Sequence, residues 1–303
     1  MEPKVVKVRV PASSANLGPG FDSLGVALNL YSYLTAEITT YDMLEIIITG
    51  QHSGSDIPLD KTNTVYAAIE YVHKKLGLKV EGLRLTMDLN SPIARGLGSS
   101  ATAIASGVFI ANELLDRPLT MQGMIDIANE IEGHPDNVVP TLIGGYVVSV
   151  MEGNSVVYVQ SPFPPALKFI AVIPDFELLT SKAKAVVPKE FSISDTIYNL
   201  SRTALLTAAF ATNDYKTIKY ALKDKVHQNY RASLIPGMKE VMSVGETMGA
   251  LGCYLSGAGP TICAIVHKDV DKVGSSMVKT WSEFGITAQY RLLDVDRQGI
   301  VLM

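Results

Sequence analysis

The stretch Ser91–Ala103, "SPIARGLGSSATA", places Gly96, Gly98, Ser99 and Ser100 between an alternating strand pattern, "LRLTMDL" (83–89), and a helical run from about Ser100 to Leu115. Glycine in such a turn lets main chain approach a ligand closely. The free N–H groups of the following helix face the same space. The helix dipole favours an anion there by up to about 1 kcal/mol at an exposed site. A plainer reading stays open: a strand-to-helix turn capped by serine. No lysine follows Gly98, so this is not a Walker A loop. Ala101 stands where a dinucleotide fingerprint needs its third glycine. The protein-kinase His-Arg-Asp and Asp-Phe-Gly signatures are absent too.

The bulk properties narrow the field. At roughly 150 residues per domain, 303 residues suggest two domains or one large one. The chain is 47% hydrophobic and 18% charged, which supplies a sizeable core. A net charge of -4 argues against a general nucleic-acid or membrane-surface binder. Two cysteines, Cys253 and Cys263, make no disulfide framework and suit a reducing cytoplasm. The start lacks the apolar region of a signal peptide, and no uncharged run is long enough to span a membrane.

Periodicity gives a coarse element order. "VVKVRV" (5–10) reads as a strand ended by Pro11. "SYLTAEITT" and "MLEIIITG" read as a hairpin or two successive strands. Helices are expected over 62–76 and 120–132, the second stopping at Gly133 and Pro135. "GGYVVSVM" and "SVVYVQ" suggest a hairpin. "SPFPP" (161–165) is the best linker, because three prolines in five residues favour an extended connector. Strand "KFIAVIP" follows, then a lysine-rich loop and helices from about Thr196, Tyr215 and Met238. A glycine-broken strand, "CYLSGAGPTICAIV", a helix near 272–284 and strand "TAQYRLLDV" finish the chain. Strands and helices mix without a strict βαβ rhythm, so α+β is favoured over a doubly wound sheet.

Two further stretches join the first: "PASSANLGPGFDSLG" (11–25) and "LSGAGPTICAI" (255–265). Together the three resemble the motifs of the GHMP kinases, small-molecule kinases named for galactose, homoserine, mevalonate and phosphomevalonate. Pro92, Gly96, Leu97, Gly98, Ser99, Ser100 and Ala101 match the family's middle motif without a gap. Pro11 through Asp22, "EIEGHPDNVVP" (130–140) and "HQNYRASLIPG" (227–237) resemble the branch whose members phosphorylate homoserine.

That resemblance implies a two-lobed α+β fold. Residues 1–163 would form an ATP-binding lobe like ribosomal protein S5 domain 2, and 164–303 a ferredoxin-like, substrate-side lobe. It implies ATP and Mg²⁺, L-homoserine as substrate, O-phosphohomoserine for threonine biosynthesis as product, and a homodimer. Pro92, Ile93, Ala94, Arg95, Gly96, Leu97, Gly98, Ser99, Ser100, Ala101 and Thr102 would line the ATP. Ser100 and Glu132 would hold the metal, with Glu130 the competing choice. Asn16, Asp22 and Asp136 would serve catalysis. Asn16, Asp22, His134, Asn137, Thr180, Lys184 and Arg231 would line the substrate. The third motif would brace the first-motif loop from across the cleft. Lys184 departs from the family, which carries an arginine there; lysine keeps the charge and loses the two-pronged fork. On the residues alone, Arg231 also reads as a solvated helix-end charge and His134 as a residue capping the preceding helix. A kinase for another small alcohol such as mevalonate, or a nucleotide-binding module without catalysis, remain the alternatives.

Overall fold

Alternating apolar residues make the first two strands pair at length. In a computed structural model, which describes residues 4–53 and 56–303, β1 (Val5–Ala15) lies antiparallel to β2 (Leu24–Ile38). Pro11 does not end β1. The ladder shifts register between Pro11 and Ala12, and a proline without an N–H is tolerated at such an irregularity. Next come β3 (Leu44–Thr49), α1 (Thr64–Lys75), β4 (Leu83–Asp88), α2 (Ser99–Leu114), α3 (Met121–Glu132), α4 (Pro135–Ile143) and the hairpin β5 (Tyr146–Glu152) and β6 (Ser155–Ser161). β4 inserts between β2 and β3, so those two are successive strands and not a hairpin. α4 was not anticipated. Gly133 ends α3 in the left-handed region, and Pro135 then starts a new helix at its first position, where a missing N–H costs nothing.

The second lobe comprises β7 (Lys168–Pro174), α5 (Thr180–Ala185), α6 (Ile193–Thr212), α7 (Tyr215–Ala221), α8 (Gln228–Arg231), α9 (Met238–Met248), β8 (Gly252–Leu255), β9 (Ile262–Val266), α10 (Val270–Glu283) and β10 (Ala288–Leu293). Its sheet runs β10-β7-β9-β8, all antiparallel. That is the 4-1-3-2 order of a ferredoxin-like sandwich. Both faces of this sheet are covered. Phe169 and Ala171 face α6 and α7, while Ile170 and Val172 face α9 and α10 around the buried Trp281. Double coverage explains why "KFIAVIP" reads as an unbroken apolar run. The lysine-rich loop is partly helical, since α5 falls within it.

The last strand, β11 (Val301–Leu302), returns to pair with β1 in the first sheet. The assignment of 164–303 to one lobe therefore fails for the C-terminal residues. The lobes also share a core, in which Leu24, Val26, Leu28 and Tyr146 pack with Phe163, Phe169 and Phe210.

Candidate active site

The three motifs converge on the seam between the lobes. Gly96 and Gly98 have φ of +80° and +70°. A Cβ on Gly96 would lie 2.4 Å from the Ser256 carbonyl oxygen, and one on Gly98 would lie 2.1 Å from Ser13 Oγ. These glycines are therefore required by the approach of the other two motifs as well as by the turn. Ser256 Oγ donates to the Gly96 carbonyl at 2.6 Å, and Asn16 Nδ2 donates to the Gly257 carbonyl at 2.9 Å. The third motif thus braces both the glycine turn and the first-motif loop. Gly98 ends the turn, and α2 starts without a side-chain cap. Its first N–H groups remain available to an anion.

The first-motif loop is held in an unusual backbone shape. Asn16, Leu17 and Asp22 all have positive φ, a conformation costing about 1–2 kcal/mol each for an L-residue. Several contacts fix it. Asn16 Oδ1 accepts from the Asp22 N–H at 3.0 Å, Thr203 Oγ1 donates to the Pro19 carbonyl at 2.9 Å, and His227 Nε2 lies 2.8 Å from the Gly18 carbonyl. Such over-determined strain fits a loop that aims a side chain. The aimed group is Asp22.

A small polar cavity of about 80 Å³ lies under this loop. Asn16, Asp22, His134, Asp136, Asn137, Thr180, Lys184 and Arg231 all line it, with Ser99, Ser100 and Glu132 at one side. A second, larger cavity of about 630 Å³ opens on the other side of the glycine turn. Ala94, Ser99, Ser100, Leu178 and Thr180 belong to both. The sequence reading placed eleven residues along the nucleotide. Ile93, Ala94, Arg95, Ser99, Ser100 and Thr102 line the large cavity, and Gly96 and Gly98 line the small one. Leu97 and Ala101 instead point into the core, and Pro92 lies on a separate surface depression. Arg95 spends its guanidinium on the carbonyls of Ile93, Pro174 and Asp175, clamping the lobes. The far wall of the large cavity includes Leu34, Val65, Met87 and Leu89. Sequence reasoning missed these, because separate strands and a helix bring them together and none carries a local signature.

The charges are organised in two poles. The α3–α4 joint supplies Glu132, His134 and Asp136. His134 sits at the start of α4 but caps nothing. Its Nδ1 lies 2.6 Å from Asp136 Oδ1, and its Nε2 lies 3.9 Å from Glu132 Oε1. Burial opposes charge on this imidazole. The hydrogen bond to Asp136 and the charges of Asp136, Glu132 and Asp22 outweigh that, and its pKa is raised. Asp22 makes no side-chain hydrogen bond among the described residues. Desolvation at the cleft and then the Asp136 charge push its carboxyl above the ordinary range, while His134, Lys184 and Arg231 pull the other way.

Arg231 forms the opposite pole and is not a solvated helix end: it is 2% exposed. Nε donates to the Ala183 carbonyl at 3.3 Å, and Nη1 donates to the Gly257 carbonyl at 2.8 Å and lies 3.2 Å from His227 Nδ1. Nη2 has no partner among the described residues. Lys184 stands at the exposed rim of the same cavity. His227 escaped the sequence reading. It is fully buried, its pKa pushed down to about 4 chiefly by desolvation, and its neutral ring holds both Arg231 and the Gly18 loop.

Hard oxygens for a divalent cation are present beside the glycine turn. Ser100 Oγ donates to Glu132 Oε2 at 2.8 Å. Burial raises the Glu132 pKa, against the Ser100 hydrogen bond and the charge of His134. An anionic, desolvated carboxylate next to a hydroxyl suits Mg²⁺, which takes few protein ligands alongside phosphates. Glu130 is a surface partner of Lys75 and faces elsewhere. Asp22, His134 and Asp136 also cluster within 4.8 Å, but the imidazole is already bonded to Asp136 and is a poor Mg²⁺ ligand.

Comparison with known proteins shows the family. Residues 63–145 match the GHMP kinases N terminal domain, and residues 206–283 match the GHMP kinases C terminal domain. A homoserine kinase from Clostridium beijerinckii is 40% identical over 301 residues, covering 99% of each chain. One from Desulfitobacterium hafniense is 41% identical over 300 residues, covering 99% of this chain and 100% of that one. The crystal structure of homoserine kinase from Cytophaga hutchinsonii superposes with a TM-score of 0.89 at 29% identity, covering 100% of this chain and 98% of that one. Three motifs meeting at one seam, matched lobe by lobe and along the whole chain, place it in a family: it belongs to the GHMP kinases, in the homoserine kinase branch.

Proposed function

We propose that this chain transfers the γ-phosphoryl group of ATP to the hydroxyl of L-homoserine, giving O-phosphohomoserine and ADP. The observation that carries this is the pair of cavities meeting at Ser99 and Ser100. The larger has room for a nucleoside, and the smaller presents an anionic and a cationic pole to a small zwitterion. The substrate carboxylate is assigned to Arg231, which lines the small cavity and whose Nη2 makes no hydrogen bond among the described residues, with Lys184 at the rim. The ammonium is assigned to the carboxylate pole.

Phosphoryl transfer depends mostly on positioning and charge stabilisation. The N-terminus of α2 receives the phosphates. Ser100 and Glu132 would hold Mg²⁺, which when bound neutralises phosphate charge. The homoserine oxygen attacks the γ-phosphorus as the bond to the bridging β–γ oxygen breaks. Asp136 is committed to His134, whereas the Asp22 carboxyl is uncommitted, so Asp22 takes the hydroxyl proton. Asn16 acts through Asp22 by holding its backbone N–H. A cytoplasmic setting accords with Cys253 and Cys263, both buried and unpaired.

The test is ADP release in a coupled assay against a panel of small alcohols. Homoserine should drive turnover and mevalonate should not. ATP and homoserine binding by calorimetry without ADP release would favour a non-catalytic module.

The pH profile follows from the cleft charges. An Asp22 base must be ionised, so activity is lost as pH falls through its raised pKa. Lys184 pulls that pKa down. Lys184→Met removes the pull, so the acid limb of kcat/KM should move to higher pH, while Lys184→Arg should leave it in place. An acid limb at the same pH in both variants and the parent would exclude Lys184 as an electrostatic neighbour of the base.

A further inference from the structure

Asn199 of α6 and Asp224, between α7 and α8, are buried and line neither the small nor the large cavity. Every polar atom of the pair is spent on main chain or on its partner. Asn199 Nδ2 donates to the Pro19 carbonyl at 3.2 Å and to Asp224 Oδ1 at 2.8 Å, and its Oδ1 accepts from the Lys225 N–H at 2.8 Å. Asp224 Oδ1 also accepts from the Val226 N–H at 3.0 Å. Its Oδ2 accepts from the N–H groups of His227 and Gln228 at 2.9 Å and 2.7 Å, which anchors the start of α8. A carboxylate is costly to bury unless donors surround it in this way. Only an amide offers two N–H donors and an acceptor on one planar group, so no other side chain of that size replaces Asn199.

This joint ties together two parts of the site that lie far apart in sequence. On one side is the first-motif loop, which presents Asp22. Pro19 in that loop is held by Asn199 and, one turn further along α6, by Thr203. On the other side is α8, whose last residue is Arg231. His227, just before α8, is fixed through its N–H by Asp224 and through its ring to Gly18 and Arg231. Phe21, next to Asp22, closes the circuit. Its ring stacks on His227 with centroids 5.2 Å apart, and the Arg231 guanidinium carbon lies 5.3 Å from its centroid. Asp22 and Arg231 are therefore mounted on one frame, and both line the same cavity of about 80 Å³.

We infer that Asn199 is a positioning residue: with Asp224 it fixes the span between Asp22 and Arg231, and so the chain length of the alcohol the cavity accepts. This rests on the roles proposed above, in which Asp22 meets the substrate hydroxyl and Arg231 its carboxylate. The substrate is then gripped at both ends, and its length must match the gap. A misplacement of about 1 Å at a reacting centre can cost about 10²-fold in rate. The gap is constant only if the loop and α8 are held to each other, and the amide of Asn199 bonds both the loop and the carboxylate that starts α8. A cavity this small leaves no slack for a further carbon.

Asn199→Asp tests this at constant shape. It removes both donors and sets carboxylate oxygens against the Pro19 carbonyl and the Asp224 carboxylate. Repulsion should lift the loop and widen the gap. kcat/KM for homoserine should fall by about tenfold or more, the cost of a buried hydrogen bond left unmade. The comparison substrate is 2-amino-5-hydroxypentanoate, homoserine with one more methylene. On it the variant should lose less, so that the parent's preference for homoserine shrinks by about fivefold or more, within what one methylene can discriminate. On serine, one methylene shorter, it should lose at least as much as on homoserine. Thr203→Val removes the other donor to Pro19 without adding charge and should move the ratio the same way by a smaller factor. It carries the test if circular dichroism shows Asn199→Asp unfolded. ATP affinity, by titration, should stay at the parent's value in both. A parent indifferent to chain length, or a folded variant that loses the same factor on all three substrates, overturns the inference and leaves the homoserine kinase reading standing. A parent with no homoserine turnover overturns that reading, and this inference with it.

Discussion

Asp22→Asn should lower kcat by about 10²–10⁴-fold, the usual contribution of a positioned acid or base, and leave ATP affinity unchanged. The substitution isolates chemistry from structure. Asparagine has the same shape and tolerates positive φ well, so the strained turn at +55° is kept. The brace on the loop is also kept, because Asn16 bonds the backbone N–H of residue 22 and not its side chain. What is lost is a carboxylate that nothing else in the site has claimed. Nucleotide titration and steady-state kinetics with homoserine supply the two readings. Unchanged kcat would remove Asp22 from proton transfer. A rise in KM alone would make it a ligand that binds ground state and transition state alike.

How far the site was visible in the sequence depends on whether each signal is local. The glycine turn, the "GHPDN" joint and the SGAGP loop are local punctuation, and each lies at the cleft. Their mutual contacts were not local. Nothing in the spacing of Gly96 shows that a Cβ there would strike the Ser256 carbonyl 160 residues away. Arg231 illustrates the same limit from the other side. In sequence it is one cation near a helix end, and only the packing of Gly257 and His227 over it makes it a buried, directed guanidinium. The fold divides likewise. Period-two and period-3.6 patterns located most elements, whereas α4 was masked by its own start signal: Pro135 reads equally as the end of α3. The return of β11 to the first sheet left no mark, since two residues are too few to carry a period.

Arg231→Lys should reduce kcat/KM for homoserine by about 10²-fold or more, and mostly through KM. Truncating or displacing one partner of a buried, hydrogen-bonded charge pair costs about 2–5 kcal/mol, and each 1.4 kcal/mol is a factor of ten. Lysine preserves the charge, which separates geometry from electrostatics. Arginine serves the Ala183 and Gly257 carbonyls with Nε and Nη1 and still has Nη2 free. A single ammonium cannot cover those two carbonyls and reach a substrate carboxylate as well. It also leaves His227 Nδ1, an acceptor for Nη1, without its donor in a fully buried ring. Some loss of thermal stability is therefore expected beside the kinetic effect, and a second substrate distinguishes the two. The analogue 3-aminopropan-1-ol is homoserine without its carboxylate. The parent should discriminate strongly against it, because a buried guanidinium is then left unpaired. In Arg231→Lys that discrimination should shrink towards unity, since the group that reads the carboxylate has gone. A variant that loses the same factor on both substrates would show that Arg231 holds the loop and does not bind the substrate.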